Sequence, residues 1–101
     1  MIIPRPATLK KYGLTQEDWI RIYESQNGCC PVCGNPLTGR TNIDHFHARQ
    51  WSKKSDADRK KFVRGILCFF CNKYYLGRGV TIERLRNAIA YLERFEKRKP
   101  K

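Results

Sequence analysis

The strongest constraint in this chain is a pair of short cysteine steps, Cys30-Pro-Val-Cys33 and Cys68-Phe-Phe-Cys71, with residues 34–67 between them. Each x₂ step brings two sulfurs to one point, and two such points can share one tetrahedral ion. That closure forces two distant parts of the chain to meet. At 101 residues the chain has room for one modest core, and a tie of this kind is what small domains use to stay folded. Structural zinc contributes roughly 10–16 kcal/mol of apparent binding energy in small fingers. Zn²⁺ held by Cys30, Cys33, Cys68 and Cys71 is therefore expected. A closed site of four thiolates has no open position and supports structure rather than catalysis. Unliganded core cysteines are the bland alternative. Cys29 also competes for the first position, at x₃ spacing from Cys33, but the x₂ spacing and the glycine after Cys33 favour Cys30. Cys29 is then expected to be a free, buried thiol.

Lys and Arg number 21 against 9 acidic residues, a formal charge of +12. So large a charge on a short chain implies an anionic partner, with nucleic acid the first candidate and a merely soluble basic protein the alternative. There is no secretory signal, and no apolar run is long enough to span a bilayer. The opening Met1-Ile-Ile-Pro-Arg-Pro is too short and too interrupted by proline. An intracellular protein with no membrane association is expected, in which paired cysteines bind metal rather than form disulfides.

One domain over residues 1–101 is expected. Residues 1–13 read as an extended basic arm or a disordered tail. A helix should start at Leu14-Thr15, with Thr15 as N-cap, Asp18 at N3 and Leu14 stapled against Trp19, and should stop at Asn27-Gly28. Thr41 to Phe46 and Phe62 to Cys68 read as two antiparallel strands. The polar stretch 48–61 lies between them, and Ser55 with Asp58 can start a turn or two of helix there. A helix from Cys71 to Leu76 should end at Gly77-Arg78-Gly79, completing a zinc-knuckle core over 14–79. Thr81 caps a last amphipathic helix within 80–97, with Ile82, Leu85, Ala88, Ile89, Leu92 and Phe95 on one stripe. Such a stripe usually faces a core. Residues 98–101 form a basic tail.

Between the cysteine pairs sits Asp44-His45-Phe46-His47. Two histidines and an acid can occur together by chance. Asn72, however, directly follows the last cysteine, so a metal at Cys71 would pin it. In a strand–loop–strand–helix layout Asp44 and Asn72 could offer two oxygens to one hard divalent ion, Mg²⁺ or Mn²⁺.

The combination C-x₂-C, D-H-x-H and V-R-G-I-L-C-x₂-C-N, followed by L-G, resembles the bacteriophage recombination endonuclease VII family, within the H-N-H or ββα-metal nucleases. The likeness covers roughly residues 12–95. It implies an α+β fold: a small zinc-stabilised ββα-metal domain with flanking helices, in a bacterial or phage-infected cytoplasm. It further implies a metal-dependent DNA endonuclease in which Asp44 and Asn72 bind the catalytic ion and His45 is the general base. His47 would shape the phosphate site, and the four cysteines would hold structural zinc. A homodimer through the last helix is plausible by the same likeness. Three features depart from the family pattern. Phe46 stands where the family often has an acid, the segment between His47 and Val63 is longer than in many relatives, and the chain ends without the extra C-terminal region of junction-resolving members.

Hydrolysis would leave a 5′ phosphate and a 3′ hydroxyl. Arg49, Lys53, Lys54, Arg59, Lys60 and Lys61 on the 48–61 loop, with Arg64 and Lys73, are the expected contacts to the DNA backbone, giving salt-sensitive binding. A zinc-stabilised nucleic-acid-binding module without catalysis is the chief rival. A RING-like interaction domain would need eight ligands in a cross-braced order that this chain lacks.

Overall fold

The computed structural model describes residues 1–77 and 79–100. Its helices are α1 (Pro6–Lys11), α2 (Gln16–Ser25), α3 (Asp56–Lys61), α4 (Phe69–Tyr74) and α5 (Ile82–Glu96), and its strands are β1 (Thr41–His45) and β2 (Val63–Cys68). A single 3₁₀ turn, Trp51–Lys53, precedes α3. The fold class is small α+β, built on one two-stranded antiparallel sheet. The middle residue of the expected Gly77–Gly79 stop lies outside the described residues.

The start of α2 follows from its first four residues. The Thr15 hydroxyl accepts from the Asp18 N–H at 3.1 Å, and the Asp18 carboxylate accepts from the Thr15 N–H at 2.9 Å, satisfying two orphan donors at once. The helix ends where Asn27 and Gly28 both enter the left-handed region. Gly28 has the Tyr23 ring where a side chain would stand, so both its conformation and its space call for glycine.

The N-terminal arm, expected from its sequence to be extended or disordered, instead carries a short helix. Pro6 begins α1 at a position where a missing N–H costs nothing, and Leu9 is buried in the core. Six residues present only one inward position, too little for a visible period.

Leu9, Leu14, Trp19, Leu37, Ile43, Ile66 and Leu67 form the core together with Cys30 and Cys71. β1 and β2 pair from Thr41↔Cys68 to Asp44↔Gly65, and then the register shifts so that His45 opposes Val63. Arg64 is thus the extra residue of a bulge, a device that re-aims side chains. The outer edge of β2 is covered by Gln26. Its amide donates to the Ile66 carbonyl at 2.8 Å and accepts from the Ile66 N–H at 2.9 Å, so one side chain stands in for a third strand.

The 48–61 segment is folded onto the N-terminal helices. The Trp51 indole N–H donates to the Lys11 carbonyl at 3.0 Å. Arg59 donates to the carbonyls of Trp51 and Ser52 at 3.1 and 3.0 Å, and Lys60 meets Asp18 at 2.7 Å. Gly13 has φ +70° and faces the Asp56 carbonyl, where any Cβ would collide.

α5 is capped by Thr81, whose hydroxyl accepts from the Arg84 N–H at 3.0 Å. Its apolar stripe is not core, contrary to the usual placement of such a face. No residue of α5 is buried, and Ile89 and Leu92 are 56% and 60% exposed. The helix projects from the body, and the radius of gyration is 16.2 Å where a compact chain of this length gives about 13 Å.

The Lys60 ammonium and the Thr15 N–H hold the Asp18 carboxyl at about 2, below its usual 3.8. A depressed carboxyl stabilises the fold above its unfolded value, and that stabilisation fades as pH falls towards the folded value. The urea midpoint of Asp18→Asn should therefore lie below that of the wild type near neutral pH. The gap should narrow as pH is lowered from 3.8 towards about 2.

Candidate active site and metal centre

The four sulfurs of Cys30, Cys33, Cys68 and Cys71 lie within 4.8 Å of one another. The Cys33–Cys68 separation is 3.9 Å, close to the roughly 3.8 Å edge of a tetrahedron with 2.3 Å zinc–sulfur bonds. Each pair is held by its own backbone. Cys30 donates its N–H to the Asn35 carbonyl and accepts from the Gly34 N–H, both at 2.8 Å, with Gly34 at φ +79°. Cys68 caps α4, its sulfur accepting from the Cys71 N–H at 3.4 Å.

The thiols pull in opposite directions. Burial pushes Cys30 up, but N–H groups around its sulfur outweigh this and bring it to about 6. Burial and the neighbouring Cys68, Cys33 and Cys30 sulfurs push Cys71 up to about 12. Four sulfurs so close together make a donor set that fits zinc. These four cysteines could hold one zinc ion. Cys29 stands outside the cluster, half-buried, with its sulfur 3.4 Å from the Asn27 carbonyl oxygen.

Asp44 and His45 end β1. The Asp44 side chain is only 7% exposed, and Arg64 grips both its oxygens, at 2.8 and 2.9 Å. This is a two-pronged, charge-assisted contact. Among the described residues Asp44, His45 and His47 do not converge on one point as the cysteines do.

His45 is half-buried in an aromatic enclosure. Its ring centroid lies 5.0 Å from Tyr12, 4.8 Å from Trp51 and 4.7 Å from His47. Burial, and then the charge of His47, lower its pKa from the ordinary 6.5. Both effects disfavour the charged imidazole. His47 is exposed, and Phe46 stacks towards Phe62 at 6.0 Å. Asn72 is half-buried in α4, directly after Cys71, so whatever fixes that cysteine fixes its backbone.

The basic residues divide into three groups. Arg59, Lys60 and Arg64 are bonded within the fold. Lys54 lies over the Phe62 ring, Lys73 lies over Phe69 and Tyr74, and Lys61 pairs with Asp58 at 3.7 Å. Arg49 and Lys53 are exposed. Sequence reasoning missed Tyr12 and Trp51 as neighbours of His45. A lone tryptophan in a polar, basic stretch was the available signal.

The recombination endonuclease VII pattern matches residues 6–94, a span that takes in α1, both cysteine pairs, the Asp44-His45 strand end and nearly all of α5. The chain belongs to the recombination endonuclease VII family. It is 39% identical over 89 residues to the Gene 59 protein of Mycobacterium phage D29, covering 85% of this chain and 47% of that protein. It is 38% identical over 87 residues to the Gene 59 protein of Mycobacterium phage L5, covering 83% and 46%. The chain thus spans about half the length of these relatives. No solved structure matches at a significant level. Among the described residues no helix is long and apolar enough to cross a membrane.

Purified protein should carry one zinc per chain by elemental analysis. Cys30→Ser and Cys71→Ser should lose both the metal and the cooperative melting transition. Cys29→Ser should keep both; loss of zinc in that variant would move the first ligand to Cys29.

Proposed function

We propose that this protein is a divalent-metal-dependent DNA endonuclease that hydrolyses phosphodiester bonds within an infected bacterial cytoplasm. The observation that carries this is the state of His45: at a strand end, beside a buried carboxylate, enclosed by Tyr12, Trp51 and His47, with its pKa lowered. A neutral imidazole placed so can accept the proton of an attacking water, the role of a general base. The order β1, β2, α4 supports reading the centre as a ββα-metal core. The buried Asp44 carboxylate and the Asn72 amide oxygen are hard donors that suit Mg²⁺ or Mn²⁺. When bound, that ion supplies positive charge to the phosphate and the leaving 3′ oxygen. His47, exposed beside His45, is placed to steady a phosphate oxygen. Arg49, Lys53 and Lys54 flank the site on the folded 48–61 segment and would hold the DNA backbone. Arg59 and Lys60 act first by keeping that segment in place.

A non-catalytic zinc-stabilised binding module accounts for the charge and the cysteines but gives His45 and its enclosure no task. Cleavage with Mn²⁺ separates the two readings, using a four-way junction and a matched linear duplex. Wild type should nick at least one substrate, and the acid limb of its pH–rate profile should lie below 6.5, because burial lowers the His45 pKa from that value. His45→Ala should bind DNA normally and cleave about 10²- to 10⁴-fold more slowly. Unchanged cleavage in His45→Ala would remove His45 as base, and no cleavage by wild type on any DNA would leave the binding module. Equal rates on the two substrates would argue against junction resolution.

The open stripe on α5 supports a second element of this reading, a homodimer joined through that helix. A continuous apolar face left in water is costly, and a second copy would cover it. Leu92→Glu should then shift the protein from dimer to monomer in sedimentation velocity while leaving its zinc content unchanged.

A further inference from the structure

Asp44 is a nearly buried carboxylate whose charge is met, among the described residues, by the Arg64 guanidinium. Nε donates to one oxygen and Nη2 to the other. Arg64 reaches this position because it is the extra residue of the β2 bulge, opposite the shift between Asp44 and His45. The cavity beside the pair, about 290 Å³, is otherwise lined by Pro31, Val32, Gly65, Leu67 and Leu76. These side chains offer nothing to a cation or its waters. The polar access to the Asp44 carboxylate therefore runs past Arg64, whose side chain is 44% exposed. Arg64 also borders a second cavity of about 170 Å³, shared with Phe46, His47, Gly77, Gly79 and Val80. The Arg64 side chain thus borders both the cavity of the buried carboxylate and that of His47.

Two cations cannot share a small buried carboxylate without strong mutual repulsion. We propose that Arg64 is an exchangeable counter-ion. In the free protein it neutralises Asp44. On divalent-cation binding it releases that carboxylate and turns its guanidinium to a phosphate oxygen of the DNA strand near His47. The inference rests on the reading of Asp44 as a divalent-cation ligand. The planar fork of the guanidinium suits carboxylate and phosphate equally well. The exchange makes cation and DNA binding cooperative, and the coupling is reciprocal. DNA draws Arg64 away and raises affinity for the cation, while the cation frees Arg64 and raises affinity for DNA.

Binding, not cleavage, tests this. Free Mn²⁺ is measured by electron paramagnetic resonance on the full, zinc-loaded chain, with and without duplex DNA, in a His45→Ala background that prevents turnover. Without DNA, Arg64→Met should bind Mn²⁺ at least about fivefold more tightly than the parent. DNA should tighten Mn²⁺ binding by about fivefold or more in the parent and not in Arg64→Met. Arg64→Lys, which keeps the charge but loses the fork, should fall between them and serves if Arg64→Met fails to retain zinc. Equal or weaker Mn²⁺ binding by the Arg64 variants, with Asp44→Asn abolishing it, would overturn the exchange alone and make Arg64 a fixed support of the carboxylate. Unchanged Mn²⁺ binding in Asp44→Asn would remove Asp44 as the ligand and overturn both readings.

Discussion

Convergence of four sulfurs is the constraint on which the rest of the molecule depends. It joins the turn after α2 to the junction of β2 and α4, two places far apart in sequence. Cys30 and Cys71 are also among the most buried residues, in contact with the same core as Trp19 and Ile66. Cluster and core are therefore one structure. A two-stranded sheet is marginal by itself. Here it is closed at one end by the cysteines and covered along its outer edge by Gln26. That rigidity is what the proposed site at the far end of β1 calls for.

The far end is built by parts of the chain that look dispensable. α1 supplies Tyr12 just past its last turn, and the 48–61 segment supplies Trp51, whose indole is tied back to Lys11. Together they wall in His45 and exclude water from one side of it. Removing water disfavours the charged imidazole, so the walls also adjust the acid–base character of the residue. The long segment between the strands is thus part of the site, held there by Arg59 and by the Lys60–Asp18 pair.

Charge is handled differently at the two ends of the hairpin. At the cysteine end, four crowded sulfurs could hold a cation from outside the chain. At the His45 end, Arg64 supplies one from within, through a bulge that breaks the strand register by a single residue. A helix carrying an apolar stripe into solvent completes the asymmetry: the His45 end of the hairpin on one side, an uncovered face on the other.

Much of this was legible in the sequence, because its signals are local. Cysteine spacing, the Thr15–Asp18 capping box, the Ser55 and Thr81 caps and the two strands each depend on residues within a few positions of one another. Spacing also singled out Asp44, His45 and Asn72 as candidates. The short α1, the enclosure of His45 by Tyr12 and Trp51, and the pairing of Arg64 with Asp44 join residues many positions apart, through packing and a register shift that leave no periodic trace. The same holds for α5, whose amphipathic pattern states that one face wants cover without stating what covers it. Local signals gave most of the elements and the chemistry each could offer. Which cation meets Asp44 and how dry His45 is depend on distance and burial, which arise when the elements meet.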